Sequence, residues 1–160
     1  MKVALIACCG AKLSGPAPAH QLYQSALFKK SRQYAETFCD EFAILSAKHG
    51  LVLADQLIDP YDVTLTEMTA AGRREWAGLV MAQLMDRWPL YREPVHFVFL
   101  AGANYRDNLM RMLFAAKETI STASVPVEVS VPMQGMAIGH QLQWLGQQIK
   151  LCPSPRSLLA

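Results

Sequence analysis

Four short apolar runs, each closing on small, polar or cationic residues and each followed by a stretch of helical period, set what this chain can fold into. The runs are Lys2–Ala7, 42–45, Val95–Leu100 and 127–131. They have the length of strands, and the four apolar residues at 42–45 read as a short buried one. Between them the spacing predicts helices over about 21–39 (Tyr23, Leu27, Tyr34 and Phe38 on one face) and over 105–117 (Leu109, Met112, Leu113 and Ala116). A further helix ending at Pro89 carries Trp76, Leu79, Val80 and Leu84, and the last carries Ile138, Leu142, Leu145 and Ile149. Thr64 and Glu67 have the spacing of a capping box at the start of the helix before Pro89, and 52–65 reads as irregular. Strands that alternate with helices build βαβ units with right-handed crossovers. The expected fold is therefore α/β: a small three-layer αβα domain, Rossmann-like, with a mostly parallel sheet of about four strands. It should occupy 1–152 as a single domain, with 153–160 as a flexible carboxyl-terminal tail.

At 160 residues, 52% hydrophobic and 18% charged, the chain suffices for one compact domain and is unlike a disordered segment. A formal charge of +2 neither demands nor excludes a nucleic-acid partner. The first apolar run is too short for a membrane span and short for the apolar part of a signal peptide, so no membrane partner is expected. Of the four cysteines, Cys8 and Cys9 are adjacent, Cys39 closes a helix pattern and Cys152 lies in a Pro-rich tail. That distribution reads as a reduced, cytoplasmic protein.

In an open α/β sheet the ligand crevice lies outside the carboxyl ends of the strands. The four runs deliver to that edge Cys8, Cys9, Gly10 and Lys12; then Ser46, Lys48 and His49; then Gly102, Asn104 and Tyr105; and finally Gly135, Gly139 and His140. The loops at Gly102 and Gly139 open helices, whose free amides attract a phosphate or carboxylate, and Lys12 and Lys48 would add charge to the same anion. Glycine after any one strand commonly serves only the turn; four coincident loops point to a ligand site. His49 is the expected acid–base group, against a purely turn-shaping role. Asp59 and Asp62, on a loop stiffened by Pro60 and bearing Tyr61, are candidate general base or nucleophile, or else turn caps. Cys8 is either a nucleophilic thiol or a small buried side chain. No zinc-ligand spacing, G-x-G-x-x-G or Walker pattern occurs, so no metal, cofactor or conventional dinucleotide site is expected.

Cys9-Gly10-Ala11-Lys12-Leu13, Leu22-Tyr23-Gln24-Ser25, Leu45-Ser46-Ala47-Lys48-His49-Gly50-Leu51, Asp59-Pro60-Tyr61-Asp62, Ala101-Gly102-Ala103-Asn104-Tyr105 and Gly135-Met136-Ala137-Ile138-Gly139 together resemble the bacterial domain of unknown function 6884 family. The resemblance runs from the first strand to the last helix. Residues 45–62 are also remotely similar to a signature of the peroxide-stress YaaA family, whose members bind DNA. The main resemblance implies nucleic-acid or nucleobase chemistry and gathers the strand-end residues into its motifs; where its pattern carries a second lysine, this chain has Ala11. The expected function is an enzyme acting on a nucleotide, nucleoside or nucleic-acid base, with the N-glycosidic bond as one target. Lys12 and Lys48 would hold phosphate, Tyr61 and Tyr105 the base, and His49 with Asp59 or Asp62 would do the chemistry. The alternatives are a non-catalytic nucleic-acid-binding or stress-response module using Lys29, Lys30, Arg32, Arg73 and Arg74, or a small-ligand sensor using the same crevice.

Overall fold

The computed structural model describes residues 1–120 and 125–152; the tail expected at 153–160 lies outside the described residues. In chain order the elements are β1 (Lys2–Ala7), β2 (Ala17–Pro18), α1 (Ala19–Leu22), α2 (Ala26–Phe38), β3 (Glu41–Ser46), β4 (Gly50–Leu53), β5 (Leu57–Ile58), α3 (Ala70–Arg87), β6 (Val95–Leu100), α4 (Ala103–Ile120), β7 (Val127–Ser130) and α5 (Ile138–Leu151). The fold is the expected α/β arrangement, with a five-stranded main sheet ordered β4-β3-β1-β6-β7. β1 pairs in parallel with β3 and with β6, and β6 in parallel with β7. A crossover that leaves β1 toward β3 runs in the opposite direction from those toward β6 and β7. Right-handedness therefore puts the connecting helices on opposite faces. α2 packs against β1, β3 and α5 on one face, and α3 packs against α4 on the other. The sheet is buried between them: Val3, Leu5, Ile44, Leu45, Phe97 and Phe99 are each fully inaccessible.

The fifth strand comes from the stretch read as irregular. β4 folds back antiparallel on β3 with Ser46 opposite Gly50, so Ala47, Lys48 and His49 form a hairpin turn rather than a strand-to-helix loop. Gly50 makes this turn at φ +76°, and a side chain there would collide with Gln83 of α3. The Gln83 carboxamide oxygen instead accepts from the Leu51 amide at 2.7 Å, while its nitrogen donates to the His49 carbonyl at 3.2 Å. Short-range pattern does not separate such an edge strand from a loop, because part of its hydrogen bonding is made by a distant helix.

Two boundaries and the burial of two residues also differ. The helix expected over 21–39 is two helices, because the chain between them is drawn into pairing with the loop after β1: Gln24 donates to the Ala11 carbonyl at 2.7 Å and Leu13 to that of Leu22 at 2.9 Å. α2 then starts anew at Ser25, whose hydroxyl accepts from the Phe28 amide at 3.1 Å. The start of α3 is capped by Thr69 on the Gly72 amide, not by Thr64, whose hydroxyl instead accepts from Thr66 two residues on. Leu79 and Ile138, placed by period on buried stripes, are 48% and 65% exposed. The stripe of α3 runs instead through Trp76, Ala77, Val80, Met81 and Leu84.

This packing predicts a clear contrast within α3. Leu84→Ala, at a fully buried position, should cost about 2–5 kcal/mol, whereas Leu79→Ala should stay within about 1 kcal/mol. Urea unfolding of the two variants reads the difference, and equal losses would mean that Leu79 faces the core as Leu84 does.

Candidate functional site

Successive strands step outward from β1 in both directions, so the chain reverses its direction of travel between β1 and β6. Loops leaving the carboxyl ends of two such strands diverge to opposite faces and open a crevice between them. In this fold the crevice is a cavity of about 450 Å³, of a size that accepts a small molecule. Its wall includes Cys8 and Cys9 after β1, Ser31 from α2, Asn104 and Tyr105 from α4, and Gln141 from α5. None of its lining residues carries a formal charge.

Two helices begin at this cavity. Gly102, Ala103 and Asn104 all line it, and the first intrahelical bonds of α4 are those of Tyr105 and Arg106 to the Gly102 carbonyl. The amides of Ala103 and Asn104 precede those bonds and are helix-start donors with no partner among the described residues. α5 contributes Ile138 and Gln141; the Gln141 side chain also donates to the Met136 carbonyl at 2.8 Å, steadying the loop that leads in.

On the inner side of Cys8 the chain buries a set of hydroxyls. The Cys8 amide donates to the Leu45 carbonyl at 3.0 Å, which carries the β1–β3 ladder one step past the strand and fixes the thiol. Its Sγ lies 3.3 Å from the Tyr105 phenol oxygen. The Tyr61 phenol oxygen accepts from Ser46 Oγ at 2.7 Å and lies 2.8 Å from that of Tyr23. Ser46 is fully buried at the end of β3: its Oγ accepts from the His49 amide at 3.1 Å, and its carbonyl accepts from the Trp76 indole at 2.8 Å. Trp76 in turn meets the Tyr105 ring edge-on at 5.5 Å, so α3, α4 and β3 brace one another behind the site.

These surroundings keep the phenols neutral. Burial, and then negative charge on Cys8, push the ionisation of Tyr61 and Tyr105 far above the ordinary tyrosine range; burial first pushes Tyr23 up to about 12. All three are hydrogen-bond donors or proton sources at neutral pH, not bases. The Lys12 ammonium stands 4.6 Å from the centre of the Tyr61 ring and 5.9 Å from that of Tyr23, roofing the pair. The His49 ring lies edge-on to Tyr61 at 5.4 Å, and its Nε2 is buried with no partner among the described residues. Burial and the neighbouring Lys48 lower its proton affinity, against an opposing pull from Asp59.

The structure thus brings together Cys8, Lys12, Ser46, His49, Tyr61 and Tyr105 of the expected residues, with Cys9 and Gly102 on the cavity wall. Cys9 faces the start of α2, its sulfur 3.2 Å from Ser25 Oγ. Gly10 turns the loop at φ +73°, where a side chain would collide with Ser25. Lys48, Asp59 and Asp62 are exposed and outside the cavity lining, as are Gly135, which turns at φ +76°, and Gly139 in the first turn of α5. Sequence reasoning missed Tyr23 and Trp76 as site members, since both fall on helix stripes that ordinarily mean core, and had no signal for Ser31; Gln141 was reached only through its helix-start amide, not its side chain. Among the described residues no three His, Cys, Asp or Glu side chains gather in a metal-holding cluster.

The comparisons with known proteins agree with this distribution of motifs. The model of the family of unknown function DUF6884 matches residues 3–147, and the chain belongs to that family. A Bacillus subtilis (strain 168) protein described as "Uncharacterized protein YfjM" is 46% identical over 52 residues, 32% of this chain and 35% of that protein. The match thus spans about a third of the length of that relative. The remote likeness of residues 45–62 to the YaaA family is not carried further by these matches. No helix of the described residues is long and apolar enough to cross a membrane.

Two outcomes test the buried network. Tyr61→Phe removes the oxygen that accepts from Ser46 and leaves that hydroxyl buried without its acceptor, which should cost about 1–3 kcal/mol in chemical unfolding. Because the folded chain holds His49 below its unfolded affinity, the unfolded state binds the additional proton. Stability should therefore fall as pH drops through the ordinary histidine range, and His49→Gln should flatten that slope between about pH 7 and pH 5. An unchanged slope in the variant would mean that His49 does not carry it.

Proposed function

We propose that this protein is an enzyme acting on a nucleotide, nucleoside or nucleic-acid base whose ring sits in the cavity between the carboxyl ends of β1 and β6. The observation that carries this reading is the cavity itself. It stands at the strand-order reversal, its wall is uncharged, and it places polar groups of Cys8, Ser31, Asn104, Tyr105 and Gln141 around a volume of nucleoside size. Flat heterocycles suit such a site, since their faces are apolar and their edges carry donors and acceptors. The free amides at the start of α4 suit a carbonyl or phosphate oxygen of the same ligand.

Cleavage of the N-glycosidic bond with Asp59 or Asp62 as nucleophile needs one of these exposed carboxylates to reach the sugar from the rim, so the groups already on the wall are the better supported participants. His49 serves a proton-transfer role only when its buried Nε2 finds a ligand or water partner. A non-catalytic nucleic-acid module fits less well. Lys29, Lys30 and Arg32 are on α2 and Arg73 and Arg74 on α3, at opposite faces of the sheet, and Arg32 and Arg73 donate to the carbonyls of His20 and Leu65. One basic stripe along a strand of nucleic acid requires them on one face.

A thermal-shift screen against nucleobases, nucleosides, nucleotides and short oligonucleotides tests the reading. A ligand at about a hundred times its dissociation constant should stabilise by about 2.7 kcal/mol. Ala103→Trp, at an exposed position on the cavity rim, should abolish that shift, and product analysis with the same compound should detect turnover. If no compound shifts the transition, or the shift survives Ala103→Trp, the reading fails.

A further inference from the structure

We propose that Cys8 is a nucleophile that adds to an electrophilic ring carbon of the ligand in this cavity, with Tyr61 and Tyr105 as the phenol donors that steady its sulfur. The substrate class rests on the function proposed above; the reactivity of the thiol rests on geometry.

Cys8 is the first residue beyond β1, held by the bond from its amide to the Leu45 carbonyl, and it is 7% exposed on the cavity wall. A count of hydrogens decides what surrounds its sulfur. The Ser46 hydroxyl accepts from the His49 amide and gives its single hydrogen to the Tyr61 oxygen. Tyr61, supplied by Ser46, has its own hydrogen left for Tyr23 or for Cys8. When the sulfur is anionic it is the stronger acceptor: Tyr61 turns to it and Tyr23 donates to Tyr61 in place of receiving. Tyr105, 3.3 Å from the sulfur, supplies a second donor. Both phenols lie where charge on Cys8 disfavours their own ionisation, so they remain protonated and able to donate. The arrangement is a hydrogen-bonded cradle for a sulfur anion at the floor of a cavity.

The neighbouring thiol is built differently. Cys9 is tied to Ser25 at 3.2 Å, and burial raises its affinity for its proton, so it stays neutral. A second feature, separate from the cysteines, calls for a ligand. Ser31 of α2 is 1% exposed and lines the same cavity, and its hydroxyl has no hydrogen-bond partner among the described residues. On the cavity wall that hydroxyl is free to bond a polar ring edge seated there.

The step balances without a co-reactant. The sulfur forms a bond to the carbon of a C=N unit in the ring, the π pair moves to the nitrogen, and that nitrogen takes the proton that leaves the thiol. The reverse step returns the proton and frees Cys8. Tyr61 and Tyr105 are positioning residues, since they act through the sulfur.

Limiting iodoacetamide at pH 7, read by peptide mass spectrometry on the full chain, tests it. Alkylation forms the S–C bond and releases iodide. Cys8 should label about tenfold faster than exposed Cys152, despite its burial, because the thiolate is the reacting form. Tyr61→Phe and Tyr105→Phe should each slow Cys8 several-fold and leave Cys152 unchanged, with circular dichroism confirming that both variants fold. Labelling of Cys8 no faster than of Cys152, or unchanged rates in both folded Phe variants, overturns the proposal. The two readings fail separately. A ligand-dependent thermal shift with a sluggish Cys8 sinks the nucleophile alone. A fast Cys8 that no base or nucleoside protects sinks the substrate class and keeps the thiol.

Discussion

β1 shares its backbone hydrogen bonds with β3 along one edge and with β6 along the other, in register from Val3 to Ala7 and from Lys2 to Ile6. A strand committed on both edges in a parallel ladder cannot turn either face to water, because each parallel connection must cross the sheet as a covered helix. Lys2–Ala7 therefore had to be apolar almost throughout, and α2 and α4 had to follow on opposite faces. The point where the central strand ends is then the point where covering stops. Cys8 is the first side chain there, still tethered by its amide to β3. The cavity beside it is a geometric consequence of strand order before it is a feature of any particular residue.

The parts of the fold legible in the sequence are those whose cause is local. The apolar runs of β1 and β6 are continuous or nearly so, β7 alternates, and the stripe of α4 follows the helical period, so each could be read from its own residues. What escaped reading is held by partners far along the chain. β4 exists because Gln83, more than thirty residues away, satisfies the turn at Gly50 and Leu51. The break between α1 and α2 exists because Ala11 and Leu13 compete for the backbone of Leu22 and Gln24. Propensity favoured one continuous helix there, and tertiary hydrogen bonds overrode it.

The site divides along the same line. Strand ends point to Cys8, Ser46, Gly102 and Tyr105 directly, since topology alone sends them to one edge. The tyrosine pair was hidden. Tyr23 falls on a helical stripe, where core is the ordinary meaning of an aromatic, and only the approach of Tyr61, 38 positions later, makes its hydroxyl part of a network. Conversely, Lys48 and Asp59 have the chemistry of site residues and lack the placement. The hairpin at 47–49 and the exposed loop beyond β5 turn them outward, which nothing in their own spacing reveals.

Burying Ser46, Tyr23 and Tyr61 together has a definite energetic meaning. Each hydroxyl moved from water into the core is destabilising unless bonded, and a cluster is tolerable only when its members satisfy one another. Ser46 does so at both ends, through the His49 amide and the Tyr61 oxygen. The chain of donors, however, has one more hydrogen than the phenols can use among themselves, and Cys8, whose sulfur lies 3.3 Å from the Tyr105 oxygen, stands beside them at the cavity. A core built for stability alone would have phenylalanine at 23 and 61 together with alanine at 46, and no hydroxyl hydrogen to match. Lys12 above these rings and the unpaired Nε2 of His49 beside them extend the same imbalance toward solvent. Among the described residues the unpartnered Nε2 of His49 and the hydroxyls around Cys8 lie near the carboxyl ends of β1 and β3, at the edge that strand order leaves open.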